Sequence, residues 1–397
     1  MRKIKITLYL LFLLLAVGCS DVTEIRRIDN TVITDEELDL KIKNLMDAAS
    51  VTGMTVSVFN HNEVVYQKAF GFANYEKGDS LKTDDVFYGA SFSKAVFGYI
   101  VSQLVNQDVI DLDKPLYEYV DFTEWEFDRS WRGYDDIADD ERYKDITARM
   151  CMTHTTGFQN WRFLSDSGFN PEGELAIRFD PGSWYGYSGE GIHLLQLVIE
   201  HITGKGLEQM AREMVFDPLN MNMTSYVWQE RFMDDFCYGH TSDQEVVPKD
   251  TNDDAGAAGS METTPEDYAK FVEHILNLTE EDSEITALMF EPHARIFSKV
   301  QFGPGAMERT DEYESIKLSY GLGWGLLQTP YSYGAFKEGH DVGFQHYSII
   351  FPEKDAGIVI MSNSDNAESI FKELLEVAIG DVYTPWRWEN YLPYDGE

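Results

Sequence analysis

The sequence predicts an α/β (α+β) fold: an antiparallel sheet flanked by helices, built from both chain ends, plus a mainly helical subdomain. Three observations carry this. Alternating apolar stretches lie towards the N-terminus at Thr55–Phe59 and Val64–Phe70. Matching stretches lie towards the C-terminus at Tyr347–Phe351 and Gly357–Met361, each pair flanking a polar turn. Between them, helical segments such as Gly191–Ile202 and Pro265–Leu278 alternate with loops rich in Asp, Gly and Pro. The expected division is a main unit over 35–380, with an α/β part at 35–111 and 312–380 and a helical part at 112–311. There is no internal repeat and no low-complexity segment.

Taken in order, the chain opens on Arg2, Lys3 and Lys5 and an apolar run from Ile6 to Val17, too short to span a bilayer comfortably. The run ends in Leu15-Ala16-Val17-Gly18-Cys19, which resembles a bacterial lipoprotein cleavage site. That resemblance implies a signal peptide over 1–18, lipid attachment at Cys19 and a membrane-anchored protein of the cell envelope. A plain secretory signal with an incidental Cys19 is the other reading. Residues 19–34 are polar and read as a tether, Glu36–Ala49 as a helix, and Asn60-His61-Asn62 as the turn between the first two strands. A helix follows from Ser91 to about Asn106. Asp135–Lys144 reads as a solvated, charge-rich loop. A last helix at Ala367–Ile379 closes the core, and 381–397 is a C-terminal tail.

The 397 residues suffice for a sizeable core. Asp and Glu number 69 against 32 Lys and Arg, a formal net charge of −37. So acidic a chain repels phosphate backbones, which argues against nucleic acid as a partner. Beyond Cys19 there are only Cys151 and Cys237, too few for a disulfide framework. The nine histidines form no His-Glu-x-x-His and no zinc-like spacing, so neither a metal nor an organic cofactor is implied.

Chemistry concentrates in Gly89-Ala90-Ser91-Phe92-Ser93-Lys94. Apolar residues at Val96, Phe97, Ile100, Val101 and Leu104 have helical spacing, which places Ser91 at a helix start and Lys94 one turn on, on the same face. A serine near the positive end of a helix dipole, beside a buried lysine that can accept a proton, has the parts of an activated nucleophile. The pattern alone is weak: Ser369-Ile370-Phe371-Lys372 repeats it inside an amphipathic helix, and a serine at a helix start is ordinarily a cap.

Context strengthens it. Phe70-Gly71-Phe72-Ala73-Asn74, the Ser91 segment, Asp111-Leu112-Asp113-Lys114-Pro115-Leu116, Met152-Thr153-His154-Thr155-Thr156-Gly157, Pro181-Gly182-Ser183 with Tyr187-Ser188-Gly189, and Tyr320-Gly321-Leu322-Gly323-Trp324-Gly325 follow one another. In that order they resemble the serine β-lactamase and penicillin-binding-protein-like hydrolases, nearest the branch of class C β-lactamases, D-amino-acid peptidases and esterases. The resemblance covers about 36–379. It implies that Ser91 is the acylated nucleophile, that Lys94 and Tyr187 share base and acid work, and that an oxyanion hole uses the Ser91 N–H and one from a third-motif strand. A tyrosine between an ammonium and the serine is expected to have a lowered pKa.

Two departures stand out. The second motif is usually Tyr-x-Asn, but Gly189 takes the asparagine position, followed by Glu190 as a possible substitute. The third is usually Lys or His, then any residue, then Gly. Gly339-His340-Asp341-Val342-Gly343 departs from it in either register: one starting at His340 puts Val342 at the glycine position, and the other puts Gly343 there and Asp341 at the start. His154 is expected to support a loop, and Trp161, Trp184 and Trp324 are candidates to line a cleft. No Gly-x-Ser-x-Gly elbow exists, and nothing localises a Ser-His-Asp triad.

The reading is an esterase or D-amino-acid-peptidase-like serine hydrolase acting on a small-molecule or peptidoglycan-derived ester or amide. β-Lactamase or DD-carboxypeptidase activity is the alternative. A catalytically idle envelope binding protein is the alternative of another class.

Overall fold

Alternation along the central strands decides the architecture. Val56, Val58, Ile349, Ile358 and Ile360 project into one buried layer, whereas Ile350, Val359 and Met361 project into another. A sheet that is apolar on both faces must be covered on both. The computed structural model, which describes residues 23–124, 133–165 and 168–396, meets that requirement.

The sheet has nine antiparallel strands: β1 (Gly53–Asn60), β2 (Glu63–Asn74), β3 (Asp79–Ser80), β4 (Ala294–Arg295), β5 (Ser319–Tyr320), β6 (Gly325–Gln328), β7 (Tyr333–Asp341), β8 (Phe344–Phe351) and β9 (Ala356–Ser362). Their spatial order is β4-β5-β6-β7-β8-β9-β1-β2-β3. The two chain ends meet where β9 pairs with β1, with Ile360 opposite Val56 and Ser362 opposite Met54. On one face lie α1 (Asp35–Ala49) and a C-terminal helix (Phe371–Ile379), which bury Leu38, Ile42, Leu374 and Leu375. Thr34 and Glu37 form a capping box that starts α1. On the other face lie α2 (Phe92–Asn106) and a helix over Pro265–Glu280, with Phe97, Ile100, Phe271 and Ile275 buried between them and the sheet.

The two-ended sheet and the helical insert match the expected architecture, with three corrections. Residues 23–34 are not a tether. Glu24–Arg26 pairs with Val32–Thr34, and Ile25, Ile28 and Ile33 are buried in the core. Residues 381–396 are not a loose tail, because Asp381, Trp388 and Glu389 are buried. The helical part is also not separate from the sheet, since β4 lies inside its expected bounds. The segment 135–144 keeps exposed charges but buries Ile137 and Tyr143. Residues 1–22, with the signal peptide and Cys19, lie outside the described residues. Among the described residues no helix is long and apolar enough to cross a membrane.

Candidate active site

Ser91 occupies the N-cap position of α2, but its side chain makes no capping bond. Lys94 Nζ instead donates to Ser91 Oγ at 2.9 Å and also to the carbonyl of Ala258. An ordinary cap would point its oxygen back at the helix amides; this one points at an amine. Ala90 holds a left-handed φ of 46°, which turns the chain sharply before the serine. Gly89 before it hydrogen-bonds across to Met261, its N–H to the Met261 carbonyl at 2.7 Å. The nucleophile loop is thus clamped on both sides.

Lys94 is 1% exposed. Burial first, and the neighbouring Lys337 charge second, hold its pKa well below that of an ordinary lysine. Tyr187, from the loop before the helix Gly189–Thr203, bonds to Ser91 and accepts from Lys337 Nζ at 3.2 Å. Both lysine ammoniums lie about 5 Å from its ring centroid, Lys94 at 5.0 Å and Lys337 at 5.1 Å. Burial nevertheless raises the Tyr187 pKa, outweighing the lowering by Lys337. The expected lowered-pKa tyrosine is therefore corrected to a neutral phenol. His154 packs tilted against Tyr187, with ring centroids 4.2 Å apart, and accepts the Ser188 N–H at 3.2 Å. It holds the Tyr187 loop, as expected of a supporting residue.

Lys337 is the residue that the sequence reading missed. Lys337-Glu338-Gly339 satisfies the Lys-x-Gly pattern three residues upstream of the register that starts at His340 and four upstream of the one that ends at Gly343. The strand register explains why this is the relevant segment. β6 pairs with β7 only as far as Phe336, so Lys337 to Asp341 are paired on one side, to β8, and keep an open backbone edge. A Cβ on Gly339 would lie 3.1 Å from the Gly89 carbonyl, so this edge passes close to the nucleophile loop. Gly343, by contrast, sits in the β7–β8 turn at φ 80°, its N–H bonded to Asp365 at 2.6 Å. His340 is half exposed and pairs with Glu368 at 2.7 Å, which raises its pKa.

The second-motif substitutes are corrected too. Glu190 does not face the site: it is buried against Arg162, accepting its guanidinium at 3.0 Å and its backbone N–H at 2.9 Å. Gly189 lies under Trp161, whose ring would be 2.9 Å from a Cβ there. An amide side chain does lie nearby. Asn160 accepts the Gly189 N–H through Oδ1 at 2.9 Å and lines the same cavity as Ser91. Trp161 also lines it, whereas Trp324 is wholly buried and Trp184 lines a separate groove.

The cavity measures about 770 Å³, within the range of small-molecule sites. Ser91, Lys94 and Tyr187 reach it beside Glu338, His340 and Val342. Glu389, Asn390 and Tyr391, from the C-terminal segment, complete its wall. Among the described residues no cluster of side chains could hold a metal ion, and Cys151 and Cys237 are buried free thiols.

A family model described as Beta-lactamase matches residues 38–379. Penicillin-binding protein 4* of Bacillus subtilis (strain 168) is 24% identical over 370 residues, covering 83% of this chain and 73% of that protein. Esterase EstB of Burkholderia gladioli is 25% identical over 214 residues, 49% of this chain and 52% of EstB. A teichoic acid D-alanine hydrolase of Staphylococcus aureus (strain MRSA252) is 21% identical, and the match spans 56% of this chain and 53% of that protein. The chain thus spans about half the length of the latter two. The octameric penicillin-binding protein homologue from Pyrococcus abyssi superposes with a TM-score of 0.68 at 19% identity, over 86% of this chain and 77% of that one.

Proposed function

This chain belongs to the Beta-lactamase family, and from that membership and the arrangement around Ser91 we propose that it is a serine hydrolase cleaving an ester or amide through an acyl-serine intermediate. The observation that carries the reading is the buried Lys94 amine at 2.9 Å from Ser91 Oγ. Burial and the Lys337 charge favour its neutral form, so it can take the serine proton as Oγ attacks the carbonyl carbon. The carbonyl oxygen gains charge and is held by the Ser91 N–H and an N–H on the open edge of β7. Tyr187, a neutral phenol, gives its proton to the leaving group and is recharged from Lys94. Water then attacks the acyl-serine with the same groups in reverse roles.

The cavity favours esterase or D-amino-acid-peptidase-like activity over β-lactamase or DD-carboxypeptidase activity. β-Lactams and D-Ala-D-Ala termini carry a carboxylate. Here Glu338 follows Lys337 and engages its charge at 3.1 Å, and Asp341 and Glu368 also line the wall. A carboxylate entering this site meets its own sign of charge.

A fluorophosphonate probe should add once, on the peptide holding Ser91, and p-nitrophenyl butyrate should be hydrolysed while a chromogenic cephalosporin is opened slowly. Ser91→Ala should lose about 10⁶-fold in kcat. Equal labelling of Ser91→Ala would remove the assignment, and efficient cephalosporin opening would restore the β-lactamase reading.

The basic and apolar start ending at Cys19 supports a lipid anchor in the bacterial cell envelope. Cells should yield the protein in the membrane fraction, and Cys19→Ser should release it. Recovery of the wild type in the soluble periplasmic fraction would leave only an ordinary signal peptide.

A further inference from the structure

Behind the reacting groups, the wall formed by β7 and the C-terminal segment carries more hydrogen-bond acceptors than the protein satisfies. Glu338 Oε1 takes the Lys337 ammonium at 3.1 Å and the Gln301 amide at 3.0 Å, but Glu338 Oε2 has no protein partner. Glu389 Oε1 takes the Tyr347 hydroxyl at 3.0 Å, and Glu389 Oε2 again has none. Gln301 is 3% exposed; its amide nitrogen is committed to Glu338, and its Oε1 is unpartnered. The Tyr391 hydroxyl is unpartnered as well. All four side chains line the cavity that holds Ser91.

Buried polar atoms without partners are costly, and native proteins keep few of them. Three of these four are oxygens that can only accept, or accept best, so what completes them is a donor with no acceptor of its own. Two are carboxylate oxygens, so the donor gains most if it is a cation. The lysines nearby do not fill this role, because Lys337 is engaged by Tyr187 and Glu338, and Lys94 by Ser91 and Ala258. No water-sized group touches these four atoms, so a side chain of the wall must turn to admit the donor, which favours a compact –NH₃⁺ over a bulky quaternary ammonium.

We propose that this recess is a subsite for a primary ammonium group of the substrate, held by Glu338, Glu389, Gln301 and Tyr391 while Ser91 attacks an ester or amide a few bonds away. The proposal rests on the serine hydrolase reading for its reaction, but not for its binding. Its position is set by contacts: Ser91 bonds Tyr187, Tyr187 bonds Lys337, and Lys337 pairs with Glu338. Burial, with the Glu338 charge adding to it, holds the Glu389 carboxyl well above its ordinary range when the recess is empty, as expected of an acid that waits for a cation.

The test uses ester pairs in which an ammonium replaces a methyl group. One pair carries it on the acid side (phenyl esters of alanine and of isobutyric acid), the other on the alcohol side (3-aminopropyl and butyl acetate). In at least one pair the wild type should prefer the ammonium ester in kcat/KM by roughly ten- to a hundredfold, the worth of one or two charge-assisted hydrogen bonds. The N-trimethylated ester should lose that preference. Glu389→Gln should lower the ratio by about tenfold. Ratios near one in both wild-type pairs, with the neutral esters still turned over, would overturn the subsite and leave the hydrolase standing. If no ester is turned over, the hydrolase reading falls. The subsite is then decided by calorimetry of butylammonium with the wild type: saturable binding absent for butanol upholds it, and no binding overturns it.

Discussion

At the scale of single residues, the site works by setting two lysines against each other. Lys337 keeps its proton because Glu338 and Tyr187 compensate its burial. Its charge in turn helps to strip the proton from Lys94, whose own burial already disfavours the charged form. The proposed base is therefore tuned by its neighbour as well as by its pocket, which leads to a signed prediction. On the proposed mechanism neutral Lys94 is the active form, so kcat/KM should rise with pH through an ionisation below the ordinary lysine value. Lys337→Met removes the charge that lowers the Lys94 pKa and leaves Glu338, which raises it, unopposed. Both changes act in the same direction. The ascending limb should move to more alkaline pH, together with a fall in kcat. An unmoved limb in a folded variant would mean that Lys94 is not the titrating base. Ser91 and Lys94 were legible in the sequence because their roles depend on a spacing of one helical turn. Lys337 was not, because the Lys-x-Gly pattern is short and only the register of β6 against β7 tells which copy borders the nucleophile.

At the scale of elements, the Gly189–Thr203 helix shows how a motif residue can be reassigned from chemistry to architecture. Its first turn carries Glu190, whose carboxylate pairs with Arg162; side-chain exposures of 3% and 4% make the pair wholly internal. Arg162 also donates to the Gly133 carbonyl and lies 3.5 Å from Asp136. The pair thus ties the loop bearing Asn160 and Trp161 to the helix that follows Tyr187. Sequence spacing places Glu190 beside the motif but cannot tell which way it faces. Its direction is set by Arg162, 28 residues away. Glu190→Ala leaves a buried guanidinium without its carboxylate, a change that costs about 3–5 kcal/mol. Urea denaturation should show that loss, and a cost under about 1 kcal/mol would mean that the arginine finds other acceptors or water. The central strands β1, β8 and β9 were the most legible elements, because each alternates between two buried layers. The aromatic C-terminal segment was misjudged as a tail because it has no periodicity. The density of Tyr383, Trp386, Trp388 and Tyr391 was its available signal, and none of the four lies in a helix or strand.

At the scale of the whole molecule, the sheet joins segments some 300 residues apart, and the nucleophile loop hangs on that junction. Its attachment point is His346, on β8 in the middle of the sheet. His346 Nε2–H donates to the Tyr88 carbonyl at 2.8 Å, just before Gly89 and Ser91. Its Nδ1 accepts the Ser362 N–H of β9 at 3.2 Å. One neutral imidazole therefore links the loop that bears the serine to the two strands that bring the C-terminal half of the sheet to β1. Burial is the main cause that lowers its pKa, from 6.5 to about 4. The sign follows from linkage. The unfolded chain binds a proton at higher pH than the folded one, so stability from this residue is fully present above about pH 6.5 and is lost as pH falls towards 4. The loss over that window is on the order of 3 kcal/mol from this group. Protonation also removes the acceptor at Nδ1, so the β8–β9 contact and the Tyr88 tether should weaken together. Denaturant midpoints measured from pH 7 to pH 4.5 should fall steeply. His346→Gln keeps a donor and an acceptor but cannot titrate. It should be less stable than the wild type at pH 7 and should flatten the acid limb. A limb of unchanged steepness in that variant would move the origin of acid sensitivity to the buried carboxylates.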